Sequence, residues 1–209
     1  SILTSVAAKF ARTTTDDRFR PSRGGRLEFG LEQAGALGGD WDYTKLRYEY
    51  TAFFNLYESF LGYKTILKVN NQIAYIIQDK DSVPVFERFY LGGQSFRGFA
   101  FRAISPVGIR QDTGLPGDDP VGGTFLFFLG AEVNQPIYKD MLSVVGFVDS
   151  GTVESGFGLD QYRVAIGFGL RLYVQQLSPV PLAFDFGFPV LSQDTDRERV
   201  FTFAVDIPF

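Results

Sequence analysis

From Arg163 onward hydrophobic and polar positions alternate: Val164, Ile166, Phe168, Leu170, Leu172 and Val174 share one parity, while Arg163, Ala165, Gly167, Gly169, Arg171 and Tyr173 share the other. A period of two sends successive side chains to opposite faces of a β-strand, so one face is apolar and the other small or charged. The pattern recurs downstream. Leu182, Phe184, Phe186 and Phe188 oppose Ala183, Asp185, Gly187 and Pro189, and Phe201, Phe203, Val205, Ile207 and Phe209 oppose Thr202, Ala204 and Asp206. Upstream, Leu46, Tyr48, Tyr50, Ala52 and Phe54 oppose Lys45, Arg47, Glu49 and Thr51, and Leu27, Phe29 and Leu31 oppose Arg26, Glu28 and Glu32. All such segments together predict about nine strands, separated by stretches rich in Gly, Pro, Asp and Ser. The weakest covers residues 2–11, where Ile2, Val6 and Phe10 oppose Lys9 but Thr4 and Ser5 blur the faces.

Two architectures satisfy this alternation: a soluble sandwich with its apolar faces inside, or a membrane barrel with them outside. Burying the charged parity in a sandwich would be costly. The segments run to about 9–12 residues, which suits a tilted strand crossing a bilayer better than the shorter strand of soluble domains. Short connections near residues 55–59, 135–140 and 175–180 alternate with longer ones near 149–161 and 192–198, as periplasmic turns alternate with external loops. The expected fold is all-β: a transmembrane antiparallel up-and-down barrel of about eight strands, or nine if residues 2–11 join. An odd number would require a parallel pair at closure, so residues 2–11 are expected as a residual strand or N-terminal plug beside a closed eight-stranded sheet. Residues 1–209 form a single barrel domain.

Composition narrows function more than fold. The 23 Phe, 10 Tyr and 23 Gly favour aromatic strands punctuated by glycine. Without Cys or His there are no disulfides, thiolate or imidazole ligands and no histidine base, so no catalytic residue, metal or cofactor is assigned. An enzyme would have to rely on carboxylates such as Asp185 or Asp206. Asp112, Asp118 and Asp119 lack the spacing of an EF-hand and read as a solvated external loop. A net charge of -4 with both signs mixed gives no basic field for nucleic acid. Lys45, Arg47, Lys64 and Lys68 are expected to pair with Glu28, Glu32, Glu49 and Glu132 in a balanced polar interior. The first ten residues lack the features of a secretory signal, so the signal is either removed or the chain is internal to a longer one.

Between the strands near residues 61–76 and 123–133 lies one long connection, residues 84–121, which contains Gly92, Gly93, Gln94, Ser95, Phe96, Arg97, Gly98 and Phe99. Loops of this length are usually functional, and its aromatics need a surface to pack on, which an inward fold would supply. This stretch resembles the Arg-Gly-Phe/Tyr signature of the sixth external loop in the BamA/TamA-type outer-membrane assembly superfamily. The string Phe147-Val148-Asp149-Ser150-Gly151 is similar to the family's Phe-x-Asp-x-Gly strand, residues 167–171 and 185–189 resemble its two penultimate strands, and residues 16–25 resemble one of its turns. The match spans nearly the whole chain but about the last half of a family barrel of about sixteen strands.

The resemblance implies that Arg97, at the tip of the inward loop, contacts Phe147 and Asp149 on the inner wall. Strand parity agrees on facing: with Leu142, Val144, Gly146 and Val148 toward lipid, Phe147 and Asp149 face inward, where a buried carboxylate requires a cation. Gly167 and Gly169, on the same side as Arg171, are expected to make room for the loop. The last strand, with Phe201, Phe203, Val205, Ile207 and Phe209, would carry the family's C-terminal targeting signal and one side of a seam that pairs with incoming strands. The implied function is insertion and folding of outer-membrane proteins in a Gram-negative outer membrane. The implied partners are outer-membrane lipid, unfolded client proteins, accessory assembly lipoproteins and, through exposed strand edges, a second copy of the chain. A secretion or transport pore, or a small stand-alone barrel, would share the signature, and the sequence upstream of Ser1 separates the readings.

Overall fold

The computed structural model describes residues 2–78, 80–110, 114, 116–138, 141–173 and 181–205. Nine strands form one antiparallel sheet in chain order: β1 (Ser5–Thr13), β2 (Gly24–Ala34), β3 (Thr44–Glu58), β4 (Lys64–Ile76), β5 (Phe125–Tyr138), β6 (Leu142–Glu154), β7 (Arg163–Leu172), β8 (Leu182–Leu191) and β9 (Phe201–Val205). Each strand pairs with the next, and residues 77–124 interrupt the meander between β4 and β5.

Two expectations change. Residues 2–11 do not form a plug: β1 pairs with β2 along its whole length, from Ser5 opposite Ala34 to Thr13 opposite Arg26. Ladder pairing is a backbone property, and the residues that blur the alternation sit at or before the strand start, where the Thr4 hydroxyl donates to the Gly38 carbonyl of the neighbouring turn. Nor do the described residues pair as a closed eight-stranded sheet. Among the described residues no ladder joins β9 to β1 or β2, so β1 and β9 are the sheet's two edges. Strand ends also move. β5 continues to Tyr138, with Pro136 still opposite Ser143 and a register shift that leaves Ile137 outside the ladder before Tyr138 pairs with Leu142. Val174, the 175–180 connection, Asp206, Ile207 and Phe209 lie outside the described residues.

The two faces separate as the alternation requires. On β6 and β7, Ser143, Val145, Phe147, Asp149, Arg163, Ala165 and Arg171 are buried, whereas Val148, Ile166, Phe168 and Leu170 are exposed. The exposed face is lined with paired rings: Phe168 stacks on Phe186 at 5.6 Å, Phe186 meets Phe201 at 5.4 Å and Phe184 meets Phe203 at 5.1 Å. An apolar surface of this kind needs a nonaqueous solvent. No helix among the described residues is long and apolar enough to cross a membrane, which says nothing of crossing by strands.

The sheet curls around its buried face. Arg20, in the β1–β2 turn, lies 4.4 Å over the ring of Tyr173 beyond the end of β7, although four strands, β3 to β6, lie between β2 and β7 in the sheet's order. The described residues of 77–124 fill the concave side and are not structureless. They contain 3-10 turns at Lys80–Ser82 and Val85–Glu87, bridges from Phe89 to Gly123 and from Leu91 to Ile104, and a short pairing of Val107–Ile109 with Pro116–Pro120. Val83, Phe89, Leu91, Phe96, Phe99 and Ile104 pack against Ala34, Tyr43, Ile76, Leu126, Phe128 and Val153, so loop and wall share one hydrophobic core.

The β1–β2 turn is organised by two adjacent carboxylates, Asp17 accepting from the Phe19 and Arg20 amides at 2.7 Å each and Asp16 closing the turn's far side. Asp16 accepts hydrogen bonds from the Ser22 amide (2.8 Å), the Ser22 hydroxyl (2.5 Å) and the Arg23 amide (3.2 Å). Desolvation pushes its carboxyl pKa up, but the bonds from Ser22 and Arg23 outweigh it and hold the group well below the usual carboxylate range. A pKa depressed by folding stabilises the turn above the ordinary carboxylate value of about 4, and the contribution is lost as pH falls through the depressed value. Amide protection factors at Ser22 and Arg23 should therefore hold from neutral pH down to about 4 and fall only below it. Asp16→Ala should abolish that protection at neutral pH. Protection that declines already between pH 7 and 5 would show that another group holds the turn.

Candidate functional site

The loop tip is built by glycine and aromatics together. Gly92 has φ 124°, and a Cβ there would lie 2.1 Å from the Ala100 carbonyl oxygen, so only glycine lets the chain double back. Phe96 and Phe99 enter the core, edge to face at 5.2 Å, and Phe96 meets Phe128 at 5.6 Å. With both rings committed, Arg97 between them extends toward β5 and β6. Its Nε and Nη2 donate to the two oxygens of Asp149, each at 2.8 Å, and its backbone amide donates to the same carboxylate at 3.1 Å. Nη1 donates to Glu132 at 2.5 Å, and the guanidinium carbon sits 3.4 Å from the centroid of Phe147. Asp149 is only 2% exposed, and a planar five-donor fork is the side chain able to satisfy it while lying flat on a ring.

The cluster extends across five strands, β4 to β8. Arg171 donates to Asp185 at 2.6 Å and to Glu132 at 2.9 Å, and Lys68 stands opposite Glu132 in the β4–β5 register. Arg97, Arg171 and Lys68 are thus set against Glu132, Asp149 and Asp185. Lys45 keeps the expected Glu32 as its farther partner, and the other contacts fall outside the expected set. Lys45 bonds Glu87 of the loop at 2.5 Å, with Glu32 at 3.9 Å; Glu28 takes Lys9 at 2.7 Å; Arg47 lies over Phe89, and Lys64 donates to Ser22. Interior pairing runs largely from wall to loop because the loop occupies the space that opposite walls would otherwise share.

Glycines set how closely these parts approach. A Cβ on Gly167 would lie 2.3 Å from the Phe147 ring, and one on Gly169 would lie 1.9 Å from the Asp185 carboxylate. Both glycines therefore make room for side chains of neighbouring strands, not for the loop as expected. The loop's own seat is elsewhere: a Cβ on Gly187 would lie 2.5 Å from the Gly98 amide nitrogen.

A second ion pair was not anticipated. Arg163, at the start of β7, donates from Nε and Nη2 to Asp196 at 3.0 and 2.9 Å and from Nη1 to the Gln161 carbonyl; both charged side chains are essentially inaccessible. The connection holding Asp196 then pairs with the signature loop, Glu198–Arg199 against Gly98–Phe99, and the Ala100 amide donates to the Arg197 carbonyl at 2.7 Å. The signal for it was the arginine at position 163 on the inward parity, which demands an acid from the next connection. Of the C-terminal residues, Phe201, Phe203 and Val205 lie on the exposed face of edge strand β9. Asp112 lies outside the described residues.

The chain matches the Omp85 superfamily domain over residues 1–209. It belongs to that superfamily. It is 31% identical, over 94% of its length, to the outer membrane protein assembly factor BamA of Nitratidesulfovibrio vulgaris, and it spans 24% of that protein. In fold it is similar to the crystal structure of BamA from Haemophilus ducreyi lacking POTRA domains 1-3, with a TM-score of 0.81 at 19% identity, covering 95% of this chain and 41% of that one. BamA and Omp85 homologues are β-barrel proteins of the Gram-negative outer membrane.

Removing one partner of a buried ion pair typically costs about 3–5 kcal/mol, because the other charge is left behind. Arg97→Ala should lower the thermal unfolding temperature in detergent and open residues 77–124 to protease, whereas Arg97→Lys, which keeps charge without the fork, should fall between. Arg163→Ala should loosen the pairing at Glu198–Arg199 in the same assay. Unchanged melting and proteolysis in all three would mean that these bonds do not hold the loop.

Proposed function

We propose that the intact protein inserts and folds other outer-membrane proteins, with this sheet as the C-terminal half of its barrel wall and residues 84–121 as an external loop folded into the lumen. The observation that supports this reading is the outer edge of β9, which pairs with no further strand among the described residues, in a chain 31% identical to a BamA assembly factor. In hydrocarbon an unpaired strand edge has no water to satisfy it, so an incoming strand is its natural partner. Pairing by strand addition supplies backbone hydrogen bonds without regard to the client's sequence, which suits a machine with many clients. No covalent step is involved. Gly92, Gly93, Phe96, Arg97, Gly98 and Phe99, with Phe147 and Asp149, serve as an internal strut that keeps the wall in shape beside a seam formed by Phe201, Phe203, Val205, Ile207 and Phe209. Lipid contacts the aromatic outer face, unfolded outer-membrane proteins meet the seam, and accessory assembly lipoproteins act from the periplasmic side.

The intact protein reconstituted into liposomes should accelerate folding of an unfolded outer-membrane client over lipid alone, and Arg97→Ala should reduce that acceleration. Equal client folding with and without the protein, together with ion conductance through the reconstituted barrel, would replace the assembly reading with a pore.

A further inference from the structure

Two neighbouring hairpins carry the same irregularity at the same end. The β3–β4 register shifts between Asn55 and Tyr57, which leaves Leu56 outside the ladder; the β5–β6 register shifts between Pro136 and Tyr138, which leaves Ile137 outside. Each bulge is therefore an aliphatic residue followed by a tyrosine. Because β4 pairs with β5, the two lie side by side on the sheet. A bulge bends its strand and re-aims the extra side chain, and Leu56, Tyr57, Ile137 and Tyr138 are all exposed.

The β3–β4 turn extends this surface. Phe60 is 104% and Leu61 76% exposed. They are not free to fold back, because the turn is closed by bonds from the Ser59 amide to the Tyr63 carbonyl (2.9 Å), from the Gly62 amide to the Ser59 carbonyl (2.9 Å) and from the Tyr63 amide to the Ser59 hydroxyl (3.1 Å). Met141, exposed after the second hairpin's turn, adds to the patch. Among the described residues Glu58 is its exposed charge, and Asn55 bonds it at 3.4 Å.

This surface continues the outer face without a polar break. Tyr48, Tyr50 and Phe54 lead along β3 to Leu56 and Tyr57, and Leu129 and Val133 lead along β5 to Ile137 and Tyr138. The outer face of an Omp85 barrel meets lipid, and short turns lie on the periplasmic side. We propose that the double bulge and the Phe60–Leu61 tip form a membrane-docking wedge seated in the periplasmic leaflet, with phospholipid at the headgroup–acyl boundary as its occupant. Tyrosine favours that boundary because it has an apolar ring and a polar end, while Phe and Leu reach past it. Because the described residues of the β3–β4 tip carry no cation, insertion there depends on acyl chains and not on anionic headgroups. The wedge would fix the height of the middle strands while the C-terminal edge stays unanchored.

The test places tryptophan at the tip of the intact protein, Phe60→Trp, in vesicles of phosphatidylethanolamine and phosphatidylcholine brominated high on the acyl chain. Relative to wild type, the added emission should be quenched several-fold more by brominated lipid than by aqueous acrylamide, and salt from roughly 0.1 to 1 M should not change it. Leu61→Trp should behave alike and gives a second reading on the same turn. Quenching by acrylamide with none from brominated lipid would overturn the proposal. So would shielding that appears only when periplasmic accessory proteins are added, since the surface would then be a protein interface.

Discussion

A carboxylate buried at Asp149 needs a cationic partner, and that partner arrives from a loop residue fifty-two positions away in the chain. This requirement organises the concave side of the sheet. Satisfying Asp149 brings the Arg97 backbone within 3.1 Å of the wall, which seats Phe96 and Phe99 in the core and lays the guanidinium on Phe147. The ring of Phe147 occupies the space over Gly167, and Gly187 admits the Gly98 backbone. Each small residue thus has a specific large neighbour, and a methyl group at either glycine would push the arginine away from its acid.

The outer face was legible in the sequence because lipid contact leaves a period of two that no local event disguises. Ile166, Phe168 and Leu170 fall where their parity places them, and so do Arg163 and Arg171 on the other side. Parity also gave the facing of Phe147 and Asp149, and the family resemblance supplied the loop residue to look for. Ion partners were much less legible. Lys45 was matched to acids on neighbouring strands, yet it bonds Glu87, because a folded loop brings acids inward that no strand pattern reveals. Arg163 and Asp196 escaped for the same reason. β1 was undervalued because edge strands, exposed on both faces, have little need of a clean alternation even when every ladder position is paired.

The concave side is divided in character. Where the loop enters, Tyr43, Ile76, Phe89, Leu91, Phe96 and Phe99 form an apolar core, and farther along the strands toward the short turns the lining becomes Lys64, Lys68, Asn70 and Glu49 around an open space of about 440 Å³. The Arg97 cluster lies at the boundary. An ion network placed there gains from the low dielectric on one side, while water on the other reduces the penalty for burying charge. The same bonds deeper in the core would carry the full desolvation cost, and nearer the mouth they would be screened.

Edge strand β9 is held unequally along its length. Over Phe201–Val205 its ladder partner among the described residues is β8, and the Gln94 side chain of the loop donates to the Phe203 carbonyl at 3.4 Å. Immediately before it, Glu198–Arg199 pairs with Gly98–Phe99 while Val200 still accepts from the Gly187 amide, so this stretch is tied to loop and wall together. Asp196, clasped by Arg163, fixes the connection one step farther upstream. Opening the edge over Phe201–Val205 breaks one ladder and uncovers few buried atoms, but displacing residues 196–200 breaks a second ladder and strands two inaccessible charges. Motion at this edge is therefore confined to the strand itself, and the loop that carries Arg97 sets where that motion must stop.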